Sequence, residues 1–182
     1  MSRTSIAYLD GPRLARAVSA GIAHLFQRRD YLNRINVFPV PDGDTGTNLA
    51  LSLGAALPLL SKPDEKHLGR MLAAVADSLL DGARGNSGAI VAQFFQGVSD
   101  SAGELSRFTT YTFGKAMRQG AEYAHDALSN PREGTILSVI AAFADYVAHH
   151  ANKNQEGDFV ALMQEALGHT EKALAETPQQ LE

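Results

Sequence analysis

Apolar residues recur every three or four positions along almost the whole chain, which is the spacing of one face of an α-helix. Short polar stretches that contain glycine, proline or serine separate these segments. The predicted helices begin near Pro12, near Thr47, after Pro63, near Ser87, at Thr109 or Thr110, near Thr135 and near Phe159. The second helix is expected to include Leu57 and to stop by Pro58 or soon after. No segment shows a convincing alternation of apolar and polar residues, the pattern of a strand. We therefore predict an all-α fold, an antiparallel up-and-down bundle of about seven helices.

Topology adds a functional expectation, because successive helices of an up-and-down bundle reverse direction. The second, fourth and sixth helices then begin at the same end of the molecule. They are preceded by the glycine-bearing polar loops at residues 42–47, 82–88 and 132–135. Helix N-termini carry partial positive charge and free N–H groups, which bind phosphate oxygens. The sequence therefore predicts one phosphate pocket lined by all three loops.

The first loop has the chemistry of a cation site. Residues 36–48 read NVFPVPDGDTGTN, so that Asp42 and Asp44 flank a glycine in a proline-stiffened turn. Two carboxylates so close repel each other unless a cation lies between them, and magnesium prefers such oxygen ligands. Asn36 can supply a further oxygen, directly or through water. The alternative is a solvated Asp-Gly turn in which Asp44 or Thr45 caps the next helix.

The second and third loops are candidates for phosphate contacts. Residues 82–88 read GARGNSG, in which glycines permit close backbone approach, Asn86 and Ser87 can donate to phosphate, and Arg84 can pair with it. An ordinary helix C-cap at Gly82 and a Ser87 N-cap explain this loop equally well. The Gly-Lys-Ser/Thr ending of a Walker loop is missing. In the third loop Thr135 is a natural helix cap, and only the shared end assigns it to the site.

Composition narrows the class of protein. The 182 residues suffice for one domain, and the net charge of −4 argues against a general nucleic-acid or anionic-membrane surface. The absence of cysteine excludes disulfides, zinc thiolate sites and cysteine nucleophiles, and it fits a reducing cytoplasm. No apolar run is long enough to cross a bilayer. We expect a cytoplasmic domain over residues 1–182, the N-terminal fragment of a longer multidomain protein.

Residues 36–48, 82–88 and 132–136 resemble, in order and spacing, the nucleotide-binding domain of bacterial fatty acid kinase. That domain is homologous to the L domain of dihydroxyacetone kinases. The resemblance implies a barrel of antiparallel amphipathic helices with ATP or ADP and Mg²⁺ at one end. Family members continue past the position of Glu182 into a glycine-rich loop and a final helix. The resemblance thus implies that this chain lacks its last helix and has an open nucleotide site.

The same resemblance assigns residues to roles. Three aspartates hold two magnesium ions in the dihydroxyacetone kinase branch; Asp42 and Asp44 match the latter two, and Asn36 takes the place of the first. From its charge alone, and not from the resemblance, Arg84 is the candidate to offset charge that develops during transfer. The residues that the resemblance places at the nucleotide are Thr45, Gly46, Thr47, Asn48, Asn86, Ser87, Thr135 and Ile136.

These assignments predict an ATP- and Mg²⁺-dependent kinase domain that phosphorylates a fatty acid, held by a carrier protein, to give an acyl phosphate. The expected partners are that carrier, the remaining domains of the full-length chain, and a second copy bound through regions outside these residues. One alternative is the nucleotide domain or phosphotransfer subunit of a glycerone kinase. Another is a nucleotide-binding regulatory module without turnover.

Overall fold

The structure is a computed structural model that describes residues 5–61, 65–151 and 157–181. These residues are mainly helical, which confirms the predicted all-α class. In chain order the elements are β1 (Leu9–Asp10), α1 (Gly11–Arg34), α2 (Thr45–Gly54), α3 (Leu57–Leu60), α4 (Leu68–Gly82), α5 (Gly85–Ala102), β2 (Arg107–Phe108), α6 (Thr110–Asp126), α7 (Ile136–His150) and α8 (Phe159–Gln180).

Two sequence predictions about helix boundaries are corrected. The second predicted helix is two helices, because α2 ends at Gly54 and Pro58 lies in the first turn of α3. Proline is favoured there, since its missing N–H would have no partner within the helix in any case. α5 begins at Gly85, so Ser87 lies inside its first turn and does not cap it. Pro63, the predicted start of the third helix, lies outside the described residues.

A short antiparallel pair of strands was not predicted. β1 pairs with β2 so that Leu9 lies opposite Phe108, a fully buried residue. Each strand has only two residues, which is too short for an alternating pattern to be visible in the sequence. The pair joins the start of α1 to the connection between α5 and α6, at the end of the molecule where α5 finishes.

The helices pack as neighbours in an order that brings alternate N-termini together. α1 packs on α2, and both α2 and α4 pack on α5. From α5 to α8, each helix packs on the one that follows it in the chain. The α5–α6 contact is close because Gly97 faces the backbone of Gln119 and Gly120. No helix in the described part of the chain is both long and apolar enough to span a membrane.

The core has two parts. The larger fills the interior of the bundle and includes Leu72, Val75, Leu79 and Val147, each at most 1% exposed. Full burial of such a side chain contributes about 1.5–3 kcal/mol. The smaller part joins Ile90, Ala124 and Leu137. Ile90 and Leu137 lie near the starts of α5 and α7, and Ala124 lies near the end of α6. This cluster therefore places the N-termini of α5 and α7 at one end.

Candidate functional site

Asn33, on the last turn of α1, holds the start of α2. Its Oδ1 accepts a hydrogen bond from the Thr47 backbone N–H at 3.0 Å, and its Nδ2 donates to Thr47 Oγ1 at 3.0 Å. Gly46 makes the approach possible, because a Cβ there would collide with the Arg29 carbonyl oxygen and lie 2.9 Å from Asn33 Oδ1. The predicted phosphate-side residues Gly46 and Thr47 therefore also join two helices.

Asn36 holds the acidic loop in a similar way. Its Oδ1 accepts from the Thr45 hydroxyl at 2.8 Å and from the Thr45 backbone N–H at 3.3 Å. Its Nδ2 donates to the Val40 carbonyl at 2.9 Å. Because two donors already engage its oxygen, Asn36 acts here as the residue that shapes the loop and caps α2. Its predicted role as a direct metal ligand stays a prediction.

Asp42 and Asp44 are free to bind a cation. Both residues are exposed, and neither side chain makes a hydrogen bond or ion pair with another residue that the structure describes. Asp44 occupies the N-cap position of α2 but its side chain makes no cap bond, because the first-turn N–H of Thr47 is bonded to Asn33. The plain capping explanation therefore does not account for Asp44. Two free carboxylates with solvent around them fit Mg²⁺, which keeps several waters and takes few protein ligands.

α2 also contacts the second loop directly. A Cβ on Gly85 would lie 2.5 Å from Asn48 Nδ2, and Gly85 has a φ of +58°. One turn further along α2, the buried Ser52 hydroxyl oxygen accepts from the Arg84 backbone N–H at 2.9 Å. Since the Asn48 backbone N–H donates to the Asp44 carbonyl at 2.8 Å, one helical turn separates the acidic loop from the second loop.

The start of α5 offers unengaged backbone donors. Arg84 is its N-cap residue, and no side chain caps the helix. The N–H groups of Gly85, Asn86 and Ser87 have no acceptor among the described residues. Asn86 and Arg84 are exposed, and Arg84 Nη1 donates to the carbonyl of Ala83 at 2.9 Å. This end of α5 therefore keeps the donors and the positive pole that bind phosphate oxygens.

The third loop is different, because its polar groups bond one another. Thr135 Oγ1 accepts from the Leu137 N–H at 3.2 Å and donates to the Arg132 carbonyl at 2.8 Å. Gly134, at a φ of +77°, packs against Thr177 and Leu181 at the end of α8. Thr135 is thus the N-cap of α7, as its residue type alone predicted. Ile136 packs against the smaller part of the core, at the end of the molecule where α5 begins.

The structure therefore brings the three loops to one end, but with unequal chemistry. The first supplies carboxylates and the second supplies free N–H groups, while the third supplies an apolar wall. Within the described ranges no group of three or more histidine, aspartate or glutamate side chains clusters as a metal cage. A groove of about 560 Å³ borders Ala83 between α4, α5 and α6, but none of the predicted site residues lines it.

Sequence reasoning missed two residues that hold this end together, Asn33 and Ser52. Asn33 precedes Asn36 by about one helical turn, so an amide facing the same loop was the available signal. Ser52 gave no such signal, because a single serine within an apolar helix is usually solvated or bonded to its own backbone. Its role depends on a loop 32 residues away in the chain.

Comparison with known proteins identifies a family and related sequences. The DAK2 domain matches residues 39–182. Protein YloV of Bacillus subtilis is 38% identical over 177 residues, which cover 97% of this chain and 32% of that protein. An uncharacterized protein of Staphylococcus saprophyticus is 33% identical over 173 residues, 95% of this chain and 31% of that protein. A Staphylococcus aureus protein, also uncharacterized, is 32% identical over the same shares of each chain.

This chain spans about a third of the length of the curated relatives it matches. The match nevertheless includes the acidic loop from residue 39 onwards and both later loops. The predicted likeness to the L domain of dihydroxyacetone kinases is confirmed. Kinases are the enzymes associated with this family. The chain belongs to the DAK2 domain family, the dihydroxyacetone kinase-like nucleotide-binding domains.

Proposed function

We propose that this domain binds ATP with Mg²⁺ and transfers the terminal phosphoryl group to the carboxylate of a fatty acid, which a carrier protein presents. The observation that carries the proposal is the contact between Asn48 and Gly85, which sets the acidic loop beside the free donors of α5. A cation site and an anion site one helical turn apart match a magnesium-bound polyphosphate.

The metal would be held by Asp42 and Asp44. Both carboxylates are exposed, and neither is used elsewhere in the described structure. When bound, Mg²⁺ would neutralise charge on the transferring group. The part of Asn36 is to fix the loop, through Thr45 on one side and the Val40 carbonyl on the other.

The phosphates would lie at the start of α5. Backbone N–H groups there, with the Asn86 side chain, would bind their oxygens, and Asn48 and Ser87 would flank them. A fatty acid carboxylate oxygen attacks the terminal phosphorus, the bond from that phosphorus to the bridging oxygen breaks, and ADP leaves. No general base is needed, because the acceptor is already ionised at neutral pH. Arg84, an exposed residue whose guanidinium now bonds the Ala83 carbonyl, would offset charge on the transferring group.

Apolar side chains beside the acidic loop favour a lipid acceptor. Val37, Phe38 and Val40 are 69%, 43% and 57% exposed, and they follow Asn36 directly. An exposed apolar rim is typical of a surface that meets an apolar ligand or a partner protein. It is poorly suited to a small polyol acceptor such as dihydroxyacetone. We infer that the carrier protein and the rest of the full-length chain meet the domain at this rim.

Nucleotide binding is tested by isothermal titration calorimetry of the 182-residue chain with ADP, with and without Mg²⁺. We expect Mg²⁺-dependent binding that Asp42→Asn and Asp44→Asn each weaken about tenfold or more, since each removes a charged ligand. Glu104→Gln is the matched control, an exposed carboxylate after the far end of α5. Binding that ignores Mg²⁺, or variants that behave like the control, would count against the proposed site.

The acceptor is tested in the full-length protein that contains these residues. It is supplied with ATP, Mg²⁺ and a fatty acid bound to its carrier, and acyl phosphate is trapped with hydroxylamine as the hydroxamate. We expect hydroxamate only when the carrier is present. Phosphorylation of dihydroxyacetone in place of the fatty acid would instead favour the glycerone kinase alternative.

A further inference from the structure

The orientation of the Asn33 side-chain amide is fixed by the backbone. The Thr47 N–H can only donate, so the Asn33 atom that faces it at 3.0 Å is the oxygen. The amide nitrogen then faces Thr47 Oγ1, also at 3.0 Å, and donates to it. The Thr47 hydroxyl oxygen therefore accepts a hydrogen bond from Asn33. Its own proton stays available, because no described residue is an acceptor for it.

The hydrogen bond between Asn36 and the Thr45 hydroxyl runs in the opposite direction. Its nitrogen must face the Val40 carbonyl, which only accepts, and its oxygen faces the Thr45 N–H, which only donates. The Thr45 hydroxyl lies 2.8 Å from that same oxygen and must donate its proton to it. Thr45 Oγ1 thus donates its proton to Asn36. Its lone pairs stay available, because no donor to them is present among the described residues.

We infer that Asn33 and Asn36 are positioning residues that give two neighbouring hydroxyls opposite polarity. Thr47 presents a proton to an anionic oxygen, and Thr45 presents a lone pair to a cation or to a metal-bound water. The two residues are two positions apart in the first turn of α2, directly after Asp44. This deepens and rests on the proposed function, because phosphate oxygens accept hydrogen bonds whereas Mg²⁺ takes oxygen lone pairs.

The N-termini of α2 and α5 differ in how many of their backbone N–H groups are free. At α2 the first-turn N–H groups of Thr45 and Thr47 are already bonded to the two asparagines. At α5 the corresponding N–H groups are unengaged in the described structure. The backbone of α5 therefore carries most of the phosphate contact, and α2 contributes through the polarised hydroxyl of Thr47.

The test uses Asn33→Asp. An aspartate still accepts from the Thr47 N–H, but its second oxygen now accepts the Thr47 hydroxyl proton in place of donating to it. Thr47 would then turn lone pairs toward the phosphate. We expect the dissociation constant of ADP with Mg²⁺ to rise about tenfold or more, and Thr47→Val to have a similar effect. Urea unfolding of each variant checks that the fold is retained.

A double-mutant cycle separates polarity from added charge. In a Thr47→Val background, Asn33→Asp should change ADP affinity by no more than about threefold, because no hydroxyl is left to turn. An equal loss in both backgrounds would overturn the inference and leave the proposed function standing. A wild-type chain without Mg²⁺-dependent ADP binding would overturn both.

The Thr45 half of the inference has its own readout. Mn²⁺ binding without nucleotide is measured by electron paramagnetic resonance on the same chain. Thr45→Val, which removes the lone pairs, should weaken Mn²⁺ binding about threefold or more, whereas Thr47→Val should leave it unchanged. Equal behaviour of the two valine variants would contradict opposite polarity.

Discussion

Asn48 on α2 lies directly against Gly85 at the start of α5, so close that a Cβ on Gly85 would lie 2.5 Å from the Asn48 amide nitrogen. Both helices start from this contact and run in the same direction, since Ser52 meets Gly88 one turn further along. The acidic loop that leads into α2 and the free N–H groups of α5 are therefore parts of one surface.

The first prediction concerns Gly85. Its φ of +58° is left-handed, which costs a residue with a Cβ about 1–2 kcal/mol, and the new methyl group would also strike the Asn48 side chain. Gly85→Ala should therefore lower the free energy of unfolding by about 2 kcal/mol or more. Urea denaturation followed by circular dichroism measures the change.

Gly21→Ala is the matched control. Gly21 lies within α1, where a Cβ would meet nothing within 4 Å. Alanine there should raise the free energy of unfolding by about 0.5–1 kcal/mol, because glycine loses more backbone freedom on folding. If both variants were equally stable, the close contact between α2 and α5 would not exist in solution.

Much of the fold was predictable because its signal is local. The apolar spacing of α4 to α8 marks each helix independently, and Thr109, Thr135 and Asp158 mark helix starts as N-caps. The division between α2 and α3 was not predictable in the same way. The apolar pattern runs through it, and only the turn at Ala55 and Ala56 separates the helices.

The site was predictable only as far as residue chemistry allowed. The residue type and spacing of Asp42 and Asp44 predict a cation site. The alternating direction of the helices predicts that both lie near Asn86. Which donors remain free depends on tertiary bonds. Asn36 and Asn33 accept from the Thr45 and Thr47 N–H groups at α2, and Thr135 accepts from the Leu137 N–H at α7. In the described structure no side chain caps the start of α5. No local pattern distinguishes these three helix starts.

The second prediction concerns Ser52, which is 1% exposed and accepts the Arg84 N–H. Ser52→Ala leaves that partly buried donor without its partner, so the free energy of unfolding should fall by about 1 kcal/mol. The second loop also loses its tether to α2, so ADP affinity in the presence of Mg²⁺ should fall. Ser61→Ala is the control, since Ser61 is exposed and, among the described residues, its hydroxyl bonds only the Pro58 carbonyl. It should change stability by no more than about 0.5 kcal/mol.

The third prediction concerns pH. Hydrogen bonds from the Ile6 and Val160 N–H groups, each 3.0 Å from Oδ1, hold the pKa of Asp158 below its ordinary value of 3.8. The unfolded carboxyl therefore takes up a proton at a higher pH than the folded one, and this uptake favours unfolding. The stabilisation is complete well above pH 3.8 and is lost as the pH falls through the lower folded pKa.

Asp158→Asn removes this titration while keeping an oxygen that accepts both bonds. Free energies of unfolding in urea at pH 7, 5, 4 and 3 should therefore fall more steeply below pH 4 in the wild type than in the variant. The other carboxyl groups are common to both proteins, so their effects cancel in the difference. Parallel pH profiles would mean that the bonds to Ile6 and Val160 do not hold the carboxylate in solution.

The last prediction decides between two roles for Thr135, a helix cap and a nucleotide contact. Its hydroxyl already accepts from the Leu137 N–H and donates to the Arg132 carbonyl, so little capacity is left for a ligand. Thr135→Ala should therefore lower the free energy of unfolding by about 1 kcal/mol, and Thr135→Ser should restore most of it. The ADP dissociation constant with Mg²⁺ should change less than about twofold in both variants. A stable Thr135→Ala protein with weakened ADP binding would show instead that the hydroxyl leaves its cap to meet the nucleotide.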